Sequence, residues 1–347
     1  MCSILRKFKL SEEADETRFM MRNGGYVLKE IIAASDGKYN PFRIFSAQEL
    51  EIATNKYEEA FLEEQYYVLY KGFWEEQPIS IMMFRNNMDN ANKNAYERCI
   101  NNIVYASQMS HKHILRLIGC CLDTEVPILV FESVRAVSLH DLIHASHTPN
   151  FESLLLTNRL KIATDIAHAV TYLHLGFPRP IIFRDIKSSN ILFTEQNVAK
   201  LFDFSISKSI PKGEIHIILD DTTGVYGYFE TEFVKRYYLN EKSDVYSFGV
   251  LLLDLFTGQK LLDPARAENF SDCHSAHHVR KNFKGKMIFK IVDPLVVKER
   301  SCSRKKKQQQ LKAFAQLMVQ CLNESPQRRP TMIDVAKKLR QMYRSCM

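Results

Sequence analysis

Near the middle of the sequence, three residues lie within a few positions of one another and carry side chains that could bind or react with a phosphate ester. In the stretch IIFRDIKSSNILF, Asp185 supplies a carboxylate, Lys187 an ammonium and Asn190 an amide. A second carboxylate, Asp203, follows in the motif DFS. A carboxylate can accept a proton, carboxylate and amide oxygens can bind Mg²⁺, and an ammonium can neutralise phosphate charge. The pattern therefore indicates phosphoryl transfer, or a fold that keeps these residues for another purpose.

The elements that must position these residues fall into two parts. The first part contains short aromatic and β-branched runs that predict strands, namely YYVLYKGFW, PISIMMF, HILRLIGCCL and PILVFES. A polar stretch between the second and third runs, NKNAYERCINNIVYASQM, predicts a helix. Later segments are helical in pattern: TNRLKIATDIAHAVTYLH, SDVYSFGVLLLDLFTG and TMIDVAKKLRQMY. This order predicts an α+β fold, with an N-terminal extension at 1–44, a β-rich part at 45–132 and a helical part at 133–347.

Local signals predict the ends of two helices. Ser46 followed by Glu49 has the spacing of a capping box and predicts a helix start in FSAQELEIATNKY. In SDVYSFGVLLLDLFTG, Ser243 or Asp244 is the predicted N-cap and Gly258 marks the predicted end.

The composition is that of an ordinary globular protein without a focused charge. Of 347 residues, 46% are hydrophobic and 25% charged, and the net charge of +7 is spread along the chain, which predicts no nucleic-acid partner. The eight cysteines form no C-x-x-C pair, so we expect a reducing compartment, with Cys120 and Cys121 as buried strand residues. The segment CHSAHH at 273–278 lacks the second ligand group of a zinc site.

The first residues carry no recognisable secretory signal. MCSILRKFKL lacks an apolar core, and FGVLLLDLF is too short to cross a bilayer, so the expected location is the cytoplasm. Because residue 2 is cysteine, N-myristoylation is not expected. We expect a disordered basic start. The alternative is S-acylation of Cys2, which would hold the chain at the inner face of the plasma membrane.

Five motifs follow one another in a fixed order: FRDIKSSN, DFS, GVYGYFETE, SDVYSFG and RRPTM. Together they resemble the protein-kinase superfamily across residues 45–345, which implies a two-lobed protein-kinase-like fold. FSAQELEIATNKY, LIGCCLDTEVPILVFE and EKSDVYSFGVLLLDLFTG are similar to plant receptor-like and wall-associated kinases. The start, NGGYVLKEIIAASDGKYNPFRIFS, is similar to plant receptor-like cytoplasmic pseudokinases that act as adaptors for an intracellular NLR immune receptor.

The resemblance assigns roles to the polar residues near the middle of the chain. Asp185 would be the base that accepts a hydroxyl proton, and Lys187 would contact the γ-phosphate. Asn190 and Asp203 would bind Mg²⁺. Phe183 replaces the family's histidine at a position that mainly packs.

The parts that would bind ATP are degenerate. The glycine loop aligns over LEEQYY, where the three glycine positions hold Leu62, Glu64 and Tyr67, although glycine is what lets the backbone approach phosphates closely. Met82 stands in place of the ATP-binding lysine, and Asn102 in place of its helix glutamate. Losing one charge-stabilising donor typically costs about 10²–10³ in rate. These losses predict a pseudokinase, for which weak binding of ATP with Mg²⁺ is the one cofactor interaction left open.

The activation segment implied by the resemblance runs from Ser205 to Glu232. Ser205 replaces a glycine, Thr222 and Thr223 are candidates for modification, and Glu232 is expected to pair with Arg329.

Two other function classes stay open. The chain could be an active Ser/Thr protein kinase with atypical ATP binding, in which Lys71 substitutes for the missing lysine. It could also be a basic nucleic-acid-binding protein, on the strength of RSCSRKKKQQQ at 300–310, although we expect a solvated loop there.

The resemblance implies two protein partners. One is the leucine-rich-repeat region of an NLR immune receptor, expected to engage the small lobe. The other is an active receptor-like cytoplasmic kinase, expected to meet the activation segment.

Overall fold

The structure is a computed structural model. It describes residues 2–35, 42–85, 91–144, 154–218, 238–258, 291–298 and 304–346. These residues belong to two units. The first unit comprises Met1–Ala136, Thr194–Asn197 and Phe202–Ile206, and the second comprises Val137–Phe193, Val198–Leu201 and Ser207–Met347.

The first unit combines a mixed sheet with helices. Its elements are α1 (Cys2–Ser35), β1 (Arg43–Phe45), α2 (Ala47–Ala53), β2 (Ala60–Glu63), β3 (Tyr67–Trp74), β4 (Gln77–Phe84), α3 (Ala91–Ala106), β5 (Leu117–Cys121) and β6 (Ile128–Glu132). The strands form one sheet in the order β1-β5-β6-β4-β3-β2, and β1 runs parallel to β5 while the other neighbours are antiparallel. The four strand runs and the helix at α3 that the sequence predicted are confirmed.

The capping box at the start of α2 is also confirmed. The Ser46 hydroxyl accepts a hydrogen bond from the Glu49 backbone N–H (3.2 Å), and the Glu49 carboxylate accepts one from the Ser46 N–H (2.8 Å). The bond from the Ser46 backbone is the main reason that the pKa of Glu49 lies below its usual value.

Residues 2–35 form a long helix, α1, in contrast to the expected disordered start. Asn23, on α1, is buried and donates to the carbonyls of Leu122 (2.8 Å) and Thr124 (3.0 Å), which follow β5. Arg22 donates to the Glu125 carbonyl (2.6 Å). These polar contacts, together with the buried side chains of Val27 and Ile31 on the same face of the helix, tie α1 to the unit.

The second unit is mainly helical. Its elements are α4 (Leu139–His144), α5 (Leu156–Leu175), β7 (Ile181–Ile182), a 3₁₀ turn (Ser188–Asn190), β8 (Ile191–Phe193), β9 (Ala199–Leu201), β10 (Lys208–Ser209), β11 (Ile217–Ile218), β12 (Tyr238–Leu239), α6 (Glu241–Thr257), α7 (Pro294–Lys298), α8 (Arg304–Cys321), a 3₁₀ turn (Pro326–Arg328) and α9 (Met332–Cys346). The predicted helices at α5, α6 and α9 are confirmed. The buried side chains of α5 and α6 line the centre of this unit.

Helix α6 ends where the sequence predicted but begins earlier. Its N-cap is Asn240, whose side-chain oxygen accepts from the Lys242 N–H (2.9 Å), while Ser243 closes the box by accepting from the Asn240 N–H (3.3 Å). The prediction of Ser243 or Asp244 as N-cap is therefore wrong. Gly258 ends the helix with φ 64°, a left-handed conformation that suits glycine.

The basic run at 300–310 is not the solvated loop that the sequence predicted. From Arg304 onward it is the first part of α8, because Lys, Arg and Gln are strong helix formers and the helix buries Leu311, Phe314 and Met318. Residues 299–303 lie outside the described part of the chain.

The adjacent cysteines are buried on β5, as predicted. Burial raises the pKa of the Cys121 thiol to about 12, and it raises that of Cys120 as well. Within the described ranges, no cluster of His, Cys, Asp and Glu could hold a metal ion, and 273–278 falls outside them. No helix in the described residues has the length and apolar character needed to span a bilayer.

Candidate functional site

The second unit brings together three of the predicted site residues. The Asp185 carboxylate accepts from the Lys187 ammonium (2.9 Å) and from the Asn190 amide (2.8 Å). The Asn190 amide also donates to the Asp185 carbonyl (2.9 Å), so the loop before β8 is closed on itself. This arrangement holds an acid, a cation and an amide within hydrogen-bond distance of one another.

A buried carboxylate on α6 positions the start of this loop. Asp244 has no exposed surface, and its two oxygens accept from the backbone N–H groups of Phe183 (2.8 Å) and Arg184 (2.9 Å). His174, on α5, lies 2.9 Å from the same carboxylate. Arg184 has φ 73°, an uncommon value for a residue other than glycine, and the bond from its N–H to Asp244 holds it there.

The Asn190 side chain has a spare acceptor. Its oxygen is buried and has no hydrogen-bond partner among the described residues, whereas its nitrogen makes both bonds to Asp185. A buried amide oxygen of this kind is a suitable ligand for a hard cation such as Mg²⁺. The second unit therefore keeps an oxygen that fits the predicted metal role of Asn190.

In the first unit, the lysine position is occupied by a fully buried thioether. Met82 lies on β4 between its cross-strand partners Leu69 on β3 and Leu129 on β6, and it has no exposed surface. Its sulfur lies 3.7 Å from the side-chain nitrogen of Asn102, on α3. Met82 thus contacts aliphatic side chains and one neutral amide, which suits a methionine.

Asn102 bridges β4 and the DFS motif. Its side-chain nitrogen donates to the Asp203 carboxylate (3.1 Å), and its side-chain oxygen accepts from the Phe204 backbone N–H (3.2 Å). Asn102 is itself fully buried. The same Asp203 oxygen also accepts from the Ser205 N–H (3.1 Å). A single neutral amide therefore fixes the aspartate that the sequence predicted as a metal ligand.

The predicted glycine loop is a closed hairpin. Leu62 and Glu63 on β2 pair with Leu69 and Val68 on β3, and the turn is closed by the Glu64 N–H donating to the Tyr67 carbonyl (2.9 Å). The Tyr67 ring is buried, with its centroid 6.2 Å from that of Phe84 and 5.9 Å from that of Phe202. Large side chains replace the glycines that would let this backbone approach a phosphate closely.

Lys71, the candidate substitute for the missing lysine, is engaged elsewhere. It lies on β3 opposite Ser80, and its ammonium forms a 2.5 Å ion pair with Glu59. The side chain is 43% exposed. The lysine therefore has a carboxylate partner of its own at the surface.

The predicted activation segment is described only at its start. Ser205 is buried in the first unit, and its N–H is bonded to Asp203. Thr222, Thr223 and Glu232 lie outside the described residues. Arg329, the expected partner of Glu232, donates to three backbone carbonyls, those of Asn323, Glu324 and Lys242.

Comparison of the amino-acid sequence with known proteins identifies the family. The model for the protein kinase domain matches residues 69–341. Wall-associated receptor kinase-like 1 of Arabidopsis thaliana is 35% identical over 333 residues, which are 94% of this chain and 43% of that protein. The chain belongs to the wall-associated-kinase-like branch of the protein kinase family.

Two relatives from the same plant match over almost their whole length. Serine/threonine-protein kinase ZRK1 is 32% identical over 339 residues, covering 96% of this chain and 95% of the relative. Non-functional pseudokinase ZRK2 is 33% identical over 348 residues, covering 98% of this chain and 94% of the relative.

The predicted fold class is confirmed: a β-rich N-lobe and a helical C-lobe give a mixed α+β kinase domain. The predicted limits of the extension and lobes, at 44 and 132, stay predictions. Since this chain spans less than half of wall-associated receptor kinase-like 1, the activity of that whole protein is not transferred to it.

Mg²⁺ and ATP do not fit the N-lobe residues. Met82 offers no charge to phosphate oxygens, and the hairpin carries two glutamates, of which Glu63 is already paired with Arg85 (2.5 Å), where the nucleotide would need backbone donors. Asp203 uses one carboxylate oxygen to accept from Asn102 and Ser205. The C-lobe loop keeps groups of the required type in Asp185, Lys187 and Asn190.

Two residues important for this geometry were not predicted as part of the site. Asp244 was predicted as a helix cap, yet it anchors the loop that carries Asp185. Asn101 donates to the Phe204 carbonyl (2.7 Å) next to the Asn102 bonds. An acid at the start of an otherwise apolar helix and two consecutive asparagines in a buried helix were the signals available in the sequence.

We predict that Met82 and Asn102 are energetically coupled. Met82→Lys buries an unpaired ammonium and should lower the free energy of unfolding by about 3 kcal/mol or more. Asn102→Glu should also destabilise, because it removes the bonds to the DFS motif and places a carboxylate beside Asp203. In the double variant the new charges pair, so it should be about 1–3 kcal/mol more stable than additivity implies.

The measurement is urea unfolding followed by fluorescence of Trp74. This is the chain's single tryptophan, and it packs on Phe45 in the N-lobe (5.5 Å between ring centroids). Met83→Lys is the matched control, because strand alternation places Met83 on the opposite face of β4 from Met82. The placement would be contradicted if the changes in the free energy of unfolding for Met82→Lys and Asn102→Glu were additive. It would also be contradicted if Met83→Lys were coupled to Asn102→Glu as strongly as Met82→Lys is.

Proposed function

We propose that this chain is a catalytically impaired kinase, a pseudokinase, whose fold serves as a binding module. The observation that carries the proposal is the Asn102 amide, which contacts the Met82 sulfur and holds Asp203 through hydrogen bonds. Where an active site would need a lysine and a glutamate, this chain has two neutral side chains suited to each other. Kinase catalysis depends on positioning and charge stabilisation. The absence of the lysine and the glutamate therefore removes the main contribution to the rate.

The expected loss of rate is large. Without the lysine, the rate is expected to fall by a factor of about 10²–10³. A closed hairpin in place of the glycine loop removes further phosphate contacts. Two independent losses of this size would bring a typical kinase rate close to zero. The retained contacts of Asp185 with Lys187 and Asn190 do not offset them, because these residues act on a nucleotide that is already bound.

An active enzyme that uses Lys71 is less favoured. Its ammonium would have to leave Glu59, at 2.5 Å, and serve a position two residues further along β4 than its cross-strand partner Ser80.

We propose further that the chain acts as an adaptor or sensor in plant innate immunity. The sequence resemblance supports this role, with an NLR receptor binding the N-lobe and an active receptor-like cytoplasmic kinase meeting the activation segment. Apolar side chains on the N-lobe surface offer suitable contacts: Ile52 on α2 is 74% exposed and Phe73 on β3 is 66% exposed. Helix α2 packs against β3, so both lie on neighbouring elements.

The catalytic part of the proposal is tested by phosphoryl transfer from labelled Mg²⁺-ATP, with purified wild type and Asp185→Asn compared. We expect equal signals, because no productive nucleotide complex forms. Transfer by the wild type that disappears in Asp185→Asn would show an active enzyme and overturn the proposal.

The adaptor part is tested by co-purification with a candidate NLR receptor. Ile52→Asp and Phe73→Asp each place a charge on the N-lobe surface and should reduce recovery of the receptor at least about ten-fold. Leu175→Asp, at a 62% exposed C-lobe position, and Asp185→Asn are the controls and should leave recovery unchanged. If the N-lobe variants bind as well as the controls do, the receptor does not dock on this surface.

A further inference from the structure

The basic run at 300–310, to which no kinase role is assigned, lines one side of a groove in the C-lobe. The groove lies between α8 and α9 and has a volume of about 520 Å³. Five glutamines contribute to its lining, namely Gln309, Gln310, Gln316, Gln320 and Gln341. Each glutamine amide carries both a donor and an acceptor, so the wall of the groove can bond to both kinds of polar group.

The charge of the groove is positive. Lys306 on α8 and Lys338 on α9 line it, and none of the described residues in its lining is acidic or aromatic. The Lys338 ammonium donates to the Gln320 side-chain oxygen (2.8 Å), which links the two helices and orients that amide. Carboxylates therefore complement this surface electrostatically.

One glutamine is buried without a partner. Gln310 is 6% exposed, and within the described part of the chain neither its side-chain oxygen nor its nitrogen has a hydrogen-bond partner. Buried polar groups are nearly always hydrogen-bonded, because leaving them unpaired destabilises the fold. An apolar residue of the same size would avoid that cost, so the amide at this position points to a bound group that supplies both a donor and an acceptor.

We propose that this groove binds an acidic peptide segment in an extended conformation. A peptide backbone offers one donor and one acceptor per residue, which matches the paired capacity of the glutamine amides. Acidic side chains on the segment would meet Lys306 and Lys338. The site is separate from the residues that carry the proposed pseudokinase function.

The length of the groove supports this ligand. Its lining on α8 runs from Lys306 to Gln320, which at the helical rise corresponds to about 21 Å. An extended segment of about six residues has this length. A compact anion would fill only one end, and sites for single-stranded nucleic acid combine positive charge with aromatic side chains on which bases stack, which the described part of this lining lacks.

The test uses the full chain and a library of fluorescent, N-acetylated hexapeptides with Asp or Glu at two fixed positions, read by fluorescence polarisation. We expect saturable binding by members of the library. Gln310→Leu should weaken that binding at least about ten-fold while leaving the thermal midpoint unchanged or raised, because it removes an unpaired buried amide. Gln308→Leu, on the same helix but exposed and outside the lining, should change neither quantity.

A second pair of variants tests the charge. Lys338→Met should weaken peptide binding, and Lys337→Met, its exposed neighbour outside the groove, should not. The proposal is overturned if no acidic hexapeptide binds, or if Gln310→Leu binds as tightly as the wild type. It is also overturned if a single-stranded oligonucleotide displaces the peptides with the steep salt dependence of phosphate binding.

Discussion

The hydrogen bonds of one buried amide determine what the N-lobe can do. Asn102 faces the Met82 sulfur on one side and binds both the Asp203 carboxylate and the Phe204 backbone on the other. An amide can donate and accept at once, so it connects helix α3 to the DFS motif without any net charge. A glutamate in its place would need a cation to balance it, and the neighbouring strand offers a thioether. The two neutral side chains suit each other, whereas a charged residue at only one of the two positions would leave its charge without the pair that it needs.

In the C-lobe, the bonds that fix the backbone of the loop are distinct from the side-chain groups that would act on a phosphate. Asp244 fixes the backbone of Phe183 and Arg184, and through them the loop that carries Asp185. These bonds stabilise the lobe, since they satisfy buried N–H groups and hold a left-handed residue. The contacts of Asp185 with Lys187 and Asn190 would therefore persist whether or not a phosphate is ever transferred. Intact residues in this loop are weak support for catalysis on their own.

Much of the fold was predictable because its signals are local. The capping box at Ser46 and the left-handed end at Gly258 depend on residues a few positions apart, and the alternating strand runs predict the sheet that contains Met82. The long-range contacts could not be predicted from the sequence. Helix α1 is held in part by Asn23, which donates to carbonyls about a hundred residues away, and nothing in the local sequence identifies those partners.

The candidate site was predictable to a similar extent. Family spacing indicated that Met82 and Asn102 replace a charged pair, and the structure places their side chains in contact. The bond from Asn102 to Asp203, and the anchoring by Asp244, join residues on different elements and had no local signature. The basic run was misjudged because its charge suggested a loop, whereas its residue types favour a helix with one buried face.

The most direct measurement is calorimetric titration of the full chain with ATP in the presence of Mg²⁺. We predict no saturable heat below about 1 mM nucleotide, since neither the lysine position nor the hairpin offers the phosphates a donor. Saturable binding in the micromolar range would contradict this, because it would require a nucleotide clamp that Met82, Asn102 and the closed hairpin do not provide.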